Sequence, residues 1–180
     1  MEMALDHISW KTVWTIWKFR DPDNSISKLL KNGLSILEAI RMFPTRFIGE
    51  VTWDGNIGLN EGVAELIDII CGLGAPTLWD HVNGSLGVGN SDAVALATQT
   101  GLQGASKAFA IIDETYPVRV NQTAEWRATF GAGVGTFHWQ EYTVVNAADD
   151  TGKNLNRCTA DKGTKEAGDS WVLSVKITFS

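Results

Sequence analysis

The alternation of apolar and polar residues is strongest at the end of the chain. Between positions 170 and 180 apolar side chains occupy every second position, namely Trp171, Leu173, Val175, Ile177 and Phe179. A period of two residues indicates a β-strand with one buried face. The same period occurs in residues 124–130 and 137–145, and again in residues 46–53. The pattern therefore predicts a chain built mainly from strands.

Shorter apolar runs lie between turns that contain glycine. Residues 84–89 and 107–113 are predicted strands, and residues 155–159 are expected to pair briefly with a neighbour. Many short strands joined by turns are typical of antiparallel sandwiches and barrels. We predict a mainly β fold, an antiparallel, jelly-roll-like β-sandwich with two or three short helices and an extended N-terminal arm.

Three segments carry helix signals. Residues 25–32 are followed by Gly33, a residue that commonly ends a helix. Ser35 and Glu38 have the spacing of a capping box, which predicts a second short helix. In residues 61–71 apolar side chains recur with helical spacing, which predicts a helix that packs one stripe against a sheet. The members of this stripe are Val63, Leu66, Ile67 and Ile70.

The N-terminal region carries an aromatic and β-branched segment at residues 12–20, apolar on both faces. Such a strand must be covered by its own domain or by a neighbouring subunit. Aromatic residues are enriched among the residues that dominate protein interfaces. We therefore predict an arm with short helices over residues 1–45 and a β-sandwich domain over residues 46–180. The predicted subunit contact consists of Trp10, Trp14, Ile16, Trp17 and Phe19.

Composition restricts the partners. The chain has 180 residues, enough for one domain, and its net charge of −6 disfavours a general nucleic-acid binder, which needs clustered Lys and Arg. No stretch approaches the roughly 20 apolar residues that span a membrane, and the N-terminus lacks the apolar core of a secretory signal. We expect neither nucleic acid nor membrane as a partner. With synthesis in a reducing cytoplasm, Cys71 and Cys158 are expected to be buried thiols rather than a disulfide.

Patterns that indicate catalysis or metal binding are weak. The three histidines are scattered, and no pair has the spacing of metal ligands. His138 and Glu141 fall on opposite faces of one predicted strand because their separation is odd. The glycine-rich residues 87–92 and 131–135 are interpreted as turns rather than phosphate-binding loops. The sequence therefore predicts no catalytic residue, no metal site and no cofactor.

Glu141 is the charged residue with the most unusual setting. It shares a predicted strand face with Phe137, Trp139 and Thr143. A carboxylate on an apolar face requires a partner, because burial of an unpaired charge is costly. Arg157, in the long polar segment that follows, is the candidate. We predict a structural ion pair between Glu141 and Arg157.

An ordered series of short motifs resembles a family of tailed-bacteriophage virion proteins. The resemblance covers about residues 47–180, and the order of the motifs is more specific than any one of them. They are GLNEG at 58–62, LGVGNS at 86–91, ATQTGLQG at 97–104, WRATF at 126–130, FHWQEY at 137–142, LNR at 155–157, GTK at 163–165 and the closing strand at 171–180.

The resemblance implies a virion structural protein built on a small β-sandwich, without enzymatic activity. The chain is short and has no heptad shaft, which disfavours a long fibre. We therefore expect a capsid decoration or cement protein that stabilises the head by bridging capsomers. Such proteins are often trimers, so the expected partners are other copies in a homotrimer and the major capsid protein. The expected location is the capsid surface of the virion, after synthesis in the bacterial host cytoplasm.

Two other functions remain open from the sequence. The first is a tail, collar or receptor-binding protein of the virion, with loops that contact the host surface or other tail proteins. The second is a small hydrolase or glycan-processing enzyme, which would require a pocket with paired carboxylates about 5–10 Å apart.

Overall fold

The computed structural model describes residues 10–180. Within this range the strands are β1 (Trp10–Arg20), β2 (Phe47–Asp54), β3 (Ile57–Gly58), β4 (Ser85–Gly89), β5 (Lys107–Ile111), β6 (Val118–Val120), β7 (Thr123–Phe130), β8 (Glu141–Val145), β9 (Asn156–Thr159) and β10 (Asp169–Phe179). The helices are α1 (Ser25–Lys31), α2 (Ile36–Met42) and α3 (Asn60–Cys71). Among these helices none is long and apolar enough to cross a membrane.

The strands of the described residues form two antiparallel sheets of five strands each. Sheet 1 has the order β2-β1-β10-β7-β6, and sheet 2 has the order β3-β9-β8-β4-β5. The inner faces of both sheets supply one shared hydrophobic core. This arrangement confirms the predicted mainly β fold, an antiparallel β-sandwich with short helices.

Aromatic rings occupy the centre of the core. Trp139 is fully buried, and its ring lies edge-on to Phe130 and Trp171, with centroid distances of 4.9 and 4.8 Å. Edge-to-face pairs add to the stabilisation that burial alone provides. The predicted closing strand is confirmed as β10, and its inward residues are almost entirely removed from solvent, namely Trp171, Leu173, Val175 and Ile177.

Residues 10–20 do not form an extended arm, so this prediction is wrong for the described residues. β1 pairs with β10 on one side and with β2 on the other, and Ile16 lies opposite both Leu173 and Val51. Most of its apolar side chains are covered within the same chain, by the core shared with sheet 2 on one face and by helices α1 and α2 on the other. The expected boundary between residues 1–45 and 46–180 is therefore also wrong, because β1 is an inner strand of the sandwich.

Helices α1 and α2 cover the outer face of sheet 1. The predicted capping box of α2 is confirmed: Ser35 Oγ accepts from the Glu38 amide at 3.2 Å, and Glu38 Oε2 accepts from the Ser35 amide at 3.1 Å. The two helices and sheet 1 share a second apolar cluster, whose buried members are Phe19, Ile26, Leu30, Ala39 and Val172. The cluster joins residues on both sides of the expected boundary.

Helix α3 forms where it was predicted, but only Leu66 of the stripe expected to be buried is half-buried, and its other three members face solvent. Val63, Ile67 and Ile70 are 39%, 50% and 74% exposed. The buried residue of this helix is Gly62, where an added Cβ would overlap the backbone of Leu155. Close approach of two backbones at a glycine determines which side of the helix faces the sandwich.

Carboxylates hold the inward side of α3. Glu61 Oε1 accepts from the Asn154 amide at 3.0 Å, and Glu65 Oε1 accepts from the Thr77 amide at 2.7 Å. These acidic side chains satisfy backbone donors of the neighbouring loops. The helix therefore turns Gly62, these carboxylates and Ile69 toward the sandwich, and Val63, Ile67 and Ile70 are left outside.

Candidate functional site

The structure separates the five residues of the predicted subunit contact into two groups. Trp14, Ile16 and Phe19 are fully buried in their own chain. The Trp14 indole nitrogen donates to the Gly55 carbonyl at 2.9 Å, and its ring stacks on Trp53 with centroids 6.3 Å apart. The prediction that these three residues contact another subunit is wrong, because the two sheets and the helices already cover them.

Trp10 and Trp17 are only partly buried. The Trp10 ring lies 5.5 Å from the Phe179 ring and packs against Gly58. Trp17 packs at the margin of the second apolar cluster, beside α1 and α2. Both residues belong to the sandwich, and their contact with another subunit stays a prediction.

The predicted ion pair of Glu141 and Arg157 is present. Arg157 Nε donates to Glu141 Oε2 at 2.8 Å, and Nη2 lies 2.7 Å from the same oxygen. Both side chains are completely removed from solvent. The predicted partner is therefore correct, but the expected face is not. Glu141 points away from the core, which receives Tyr142 and Val144 from the same strand.

The pair lies beneath the loop between β4 and β5, residues 90–106, and fastens it to sheet 2. The Gln103 and Gly104 amides donate to the Glu141 carboxylate at 2.8 and 2.6 Å. Arg157 Nη1 donates to the Ala93 carbonyl at 2.9 Å and to Gln99 Oε1 at 3.0 Å. One ion pair thus holds the loop at two separate places.

Two glycines make room for the Glu141 carboxylate. Gly89 lies opposite Glu141 in the β4–β8 pairing, and a Cβ at Gly89 would overlap the carboxylate. A Cβ at Gly104 would lie 2.8 Å from Glu141 Oε1. Gly89, Gly104, Glu141 and Arg157 come from four different motifs of the ordered series described above, so the structure brings these motifs together. The sequence shows the order of these motifs along the chain, but it does not show that they meet in space.

The arrangement determines what the Glu141 carboxylate can do. Its oxygens accept from two backbone amides and the Arg157 guanidinium, and neither side chain reaches solvent. A general acid or base must lie within hydrogen-bonding distance of a substrate. The cluster therefore acts as a structural joint between loop and sheet.

A second buried pair, absent from the sequence predictions, attaches the helices to sheet 1. Arg127 Nε donates to Asp113 Oδ2 at 2.8 Å, and Arg127 Nη2 donates to the Leu30 carbonyl at 2.8 Å. The Thr129 amide donates to Asp113 Oδ1 at 3.1 Å. Burial raises the pKa of Asp113, and the Arg127 charge opposes this effect. This pair connects α1 to β7.

A groove of about 440 Å³ lies beside this pair, between the end of α1 and edge strand β5. Asp113, Glu114 and Lys31 are the charged residues that line it. Asp113 already accepts hydrogen bonds from Arg127 and Thr129. The Asp113 carboxylate in this groove therefore supports the fold.

His138 has a partner that spacing along one strand did not predict. Its Nε2 lies 2.8 Å from Asp161 Oδ1, and its Nδ1 lies 3.1 Å from Thr164 Oγ. The hydrogen bond from His138 lowers the pKa of Asp161. His138 is 42% exposed, and an isolated bridge pairs its backbone with Thr164. These contacts link two surface segments.

Lys165 is a buried amine, and its Nζ donates to the Gly131 carbonyl at 2.9 Å. Burial lowers the pKa of Lys165 from 10.5 to about 8, although Asp169 and Asp21 oppose the change. The unfolded chain therefore binds more protons than the folded chain between these two values. The free energy of unfolding should rise with pH across this window.

We expect Lys165→Met to remove the contribution of Lys165 to this rise, which amounts to about 2 kcal/mol between pH 7 and pH 9.5. The measurement is urea unfolding of both proteins between about pH 7 and about pH 9.5. Burial also raises the pKa of Tyr142 and Cys158, which opposes the rise at higher pH, so the difference between the two proteins isolates Lys165. Parallel stability curves would contradict the prediction.

Cysteine and metal chemistry can be assessed for residues 10–180. Cys71 and Cys158 are both free thiols, as expected; the expected burial is confirmed for Cys158 and wrong for Cys71, which is exposed. In this part of the chain no three His, Cys, Asp or Glu side chains are grouped so that they could hold a metal ion.

Comparison with known proteins identifies no relative. Scans against models of protein families, curated proteins and solved structures each found no match.

Proposed function

We propose that the protein is a non-enzymatic structural component of a phage virion, a capsid decoration or cement protein that bridges capsomers. The proposal starts from the series of motifs that resembles tailed-phage virion proteins. Its proposed partners are the major capsid protein and further copies of the chain in a homotrimer. Its proposed location is the outer surface of the capsid.

The observation that supports the proposal is that residues of these motifs form internal contacts that hold the fold together. Glu141 and Arg157 fasten the β4–β5 loop, and Gly89 and Gly104 leave the space that the carboxylate needs. In an enzyme, catalytic charged side chains must reach the substrate, but here the Glu141 and Arg157 side chains are buried and bond the loop to sheet 2. A rigid domain with fastened loops is suited to binding and assembly.

The test is to locate the chain on purified particles of the phage that encodes it. Antibodies against the purified protein, detected by immunogold labelling, should decorate the head. Heads that lack the protein should lose their DNA at a lower temperature than complete heads. Label on the tail with a bare capsid would establish the tail, collar or receptor-binding alternative. Particles without label would overturn a virion role.

A further inference from the structure

The outward side of α3 is an apolar surface without a partner in its own chain. We define the α3 face as Val63, Ile67, Ile70 and Leu73, whose exposed fractions are 39%, 50%, 74% and 55%. The first three recur at helical spacing and therefore form one continuous stripe. A grouped apolar surface of this kind marks an interaction site more often than scattered exposed residues do.

Helix α3 itself is acidic. It contains Glu61, Glu65 and Asp68 and no Lys or Arg. Lys153, in the neighbouring β8–β9 connection, is a basic residue close to this region. Packing two α3 faces against each other would place like charges together, which is unfavourable. The surface favours a basic and apolar partner.

A surface of the opposite charge lies on the other pair of helices. We define the helix-pair face as the exposed side chains of α1 and α2. Its apolar members Leu29, Leu37 and Met42 are 39%, 67% and 57% exposed. Its exposed charged members are Lys28, Lys31 and Arg41 together with Glu38, so the face has a net positive charge. This face is apolar, like the α3 face, and its charge is opposite to that of α3.

The two faces lie at opposite ends of β1. Near its first residue, the Trp10 ring and Val63 of α3 both pack against Gly58. Near its last residues, Phe19 packs with Ile26 and Leu30 of α1. A strand of 11 residues spans about 35 Å. One copy therefore cannot cover its own α3 face with its own helix-pair face.

We propose that copies of this protein associate head to tail, with the α3 face of one copy docked on the helix-pair face of the next. Two different surfaces meet in such a contact, so it closes into a ring or continues as a filament. The apolar side chains supply affinity, and the opposite charges fix the orientation. The proposal does not depend on the virion role.

Two variants, each blocking one face, test the proposal. Ile70→Lys places a positive charge on the α3 face, and Leu37→Glu places a negative charge on the helix-pair face. Both positions are exposed, so circular dichroism and thermal unfolding should match the wild type. By analytical ultracentrifugation we expect the wild type to associate as concentration rises. Each variant alone should associate about tenfold more weakly or not at all.

Mixing the two variants distinguishes head-to-tail contact from other arrangements. Each variant keeps one intact face, so an equimolar mixture should form a one-to-one dimer that cannot grow. A wild-type protein that stays monomeric at every concentration would overturn the proposal. Loss of association in Ile70→Lys alone would also overturn it, because α3 would then pair with itself. Loss in Leu37→Glu alone would overturn it in the same way.

A charge exchange provides the matched control. Asp68→Lys and Arg41→Glu should each weaken association, and the chain that carries both changes should recover it. If the double variant does not recover association, the two faces are not held together by opposite charges, and the helix-pair face is not the partner of the α3 face. A monomer that still decorates phage heads would refute the head-to-tail contact and leave the virion function standing.

Discussion

Glu141→Gln will lower the free energy of unfolding by about 3–5 kcal/mol, the cost of removing one partner from a buried ion pair. The Arg157 charge would then stay buried without its carboxylate. The loop would also lose a charged acceptor for the Gln103 and Gly104 amides. Hydrogen bonds to charged groups contribute more than neutral ones, so both losses act in the same direction. Urea unfolding measures the change.

A matched control separates burial from charge. Lys107 and Asp150 form an ion pair at 2.6 Å on the same side of sheet 2, but both side chains are partly exposed. Lys107→Met should cost less than about 1 kcal/mol, as is usual for pairs near solvent. Glu141→Gln combined with Arg157→Met should cost less than the sum of the single changes, because it leaves no unpaired charge. A wild-type melting temperature for Glu141→Gln would refute the structural role of the pair.

The same variant should loosen the β4–β5 loop before the rest of the molecule. Because Glu141 and Arg157 hold this loop at several points, their separation removes its attachment to sheet 2. Amide hydrogen exchange at Gln103 and Gly104 should therefore accelerate more than exchange within β10. Equal acceleration in both places would show that the pair stabilises the whole domain without holding the loop in particular.

Local signals in the sequence predicted much of the fold. Alternation located the closing strand at 171–179 because one face of β10 lies in the core. The capping box of Ser35 and Glu38 was readable because both partners lie within one helical turn. The pairing of Glu141 with Arg157 followed from the cost of an unpaired buried charge. Each of these features depends on a few residues and a strong physical constraint.

The sequence could not predict which part of the molecule packs against a given apolar surface. The two apolar faces of residues 10–20 required a cover, but the pattern does not say whether the cover comes from the same chain. β10, which pairs with β1, lies about 150 residues away along the sequence. For α3 the apolar stripe was clear, but the close approach at Gly62 determines its orientation. That approach depends on the backbone of Leu155 and leaves no periodic signal.

Trp14→Ala is the change that decides whether β1 belongs to the domain or to a subunit contact. Trp14 is fully buried, it contacts the rings of Trp53 and Tyr142, and its indole nitrogen donates to Gly55. Truncation of a buried tryptophan to alanine typically costs about 3–5 kcal/mol, because a cavity replaces its contacts. We expect a loss of this size in urea unfolding at protein concentrations low enough to keep the chain monomeric.

The dependence of that loss on protein concentration distinguishes a core residue from a residue of a subunit contact. A core residue destabilises each molecule by itself, so the unfolding midpoint should fall equally at low and high protein concentration. A residue of a subunit contact would leave the isolated chain unchanged and weaken only the assembly. Deletion of residues 1–20 should likewise abolish cooperative unfolding, since it removes an inner strand of sheet 1. If the chain without these residues still folds and unfolds cooperatively, the segment is an arm outside the domain, as predicted from the sequence.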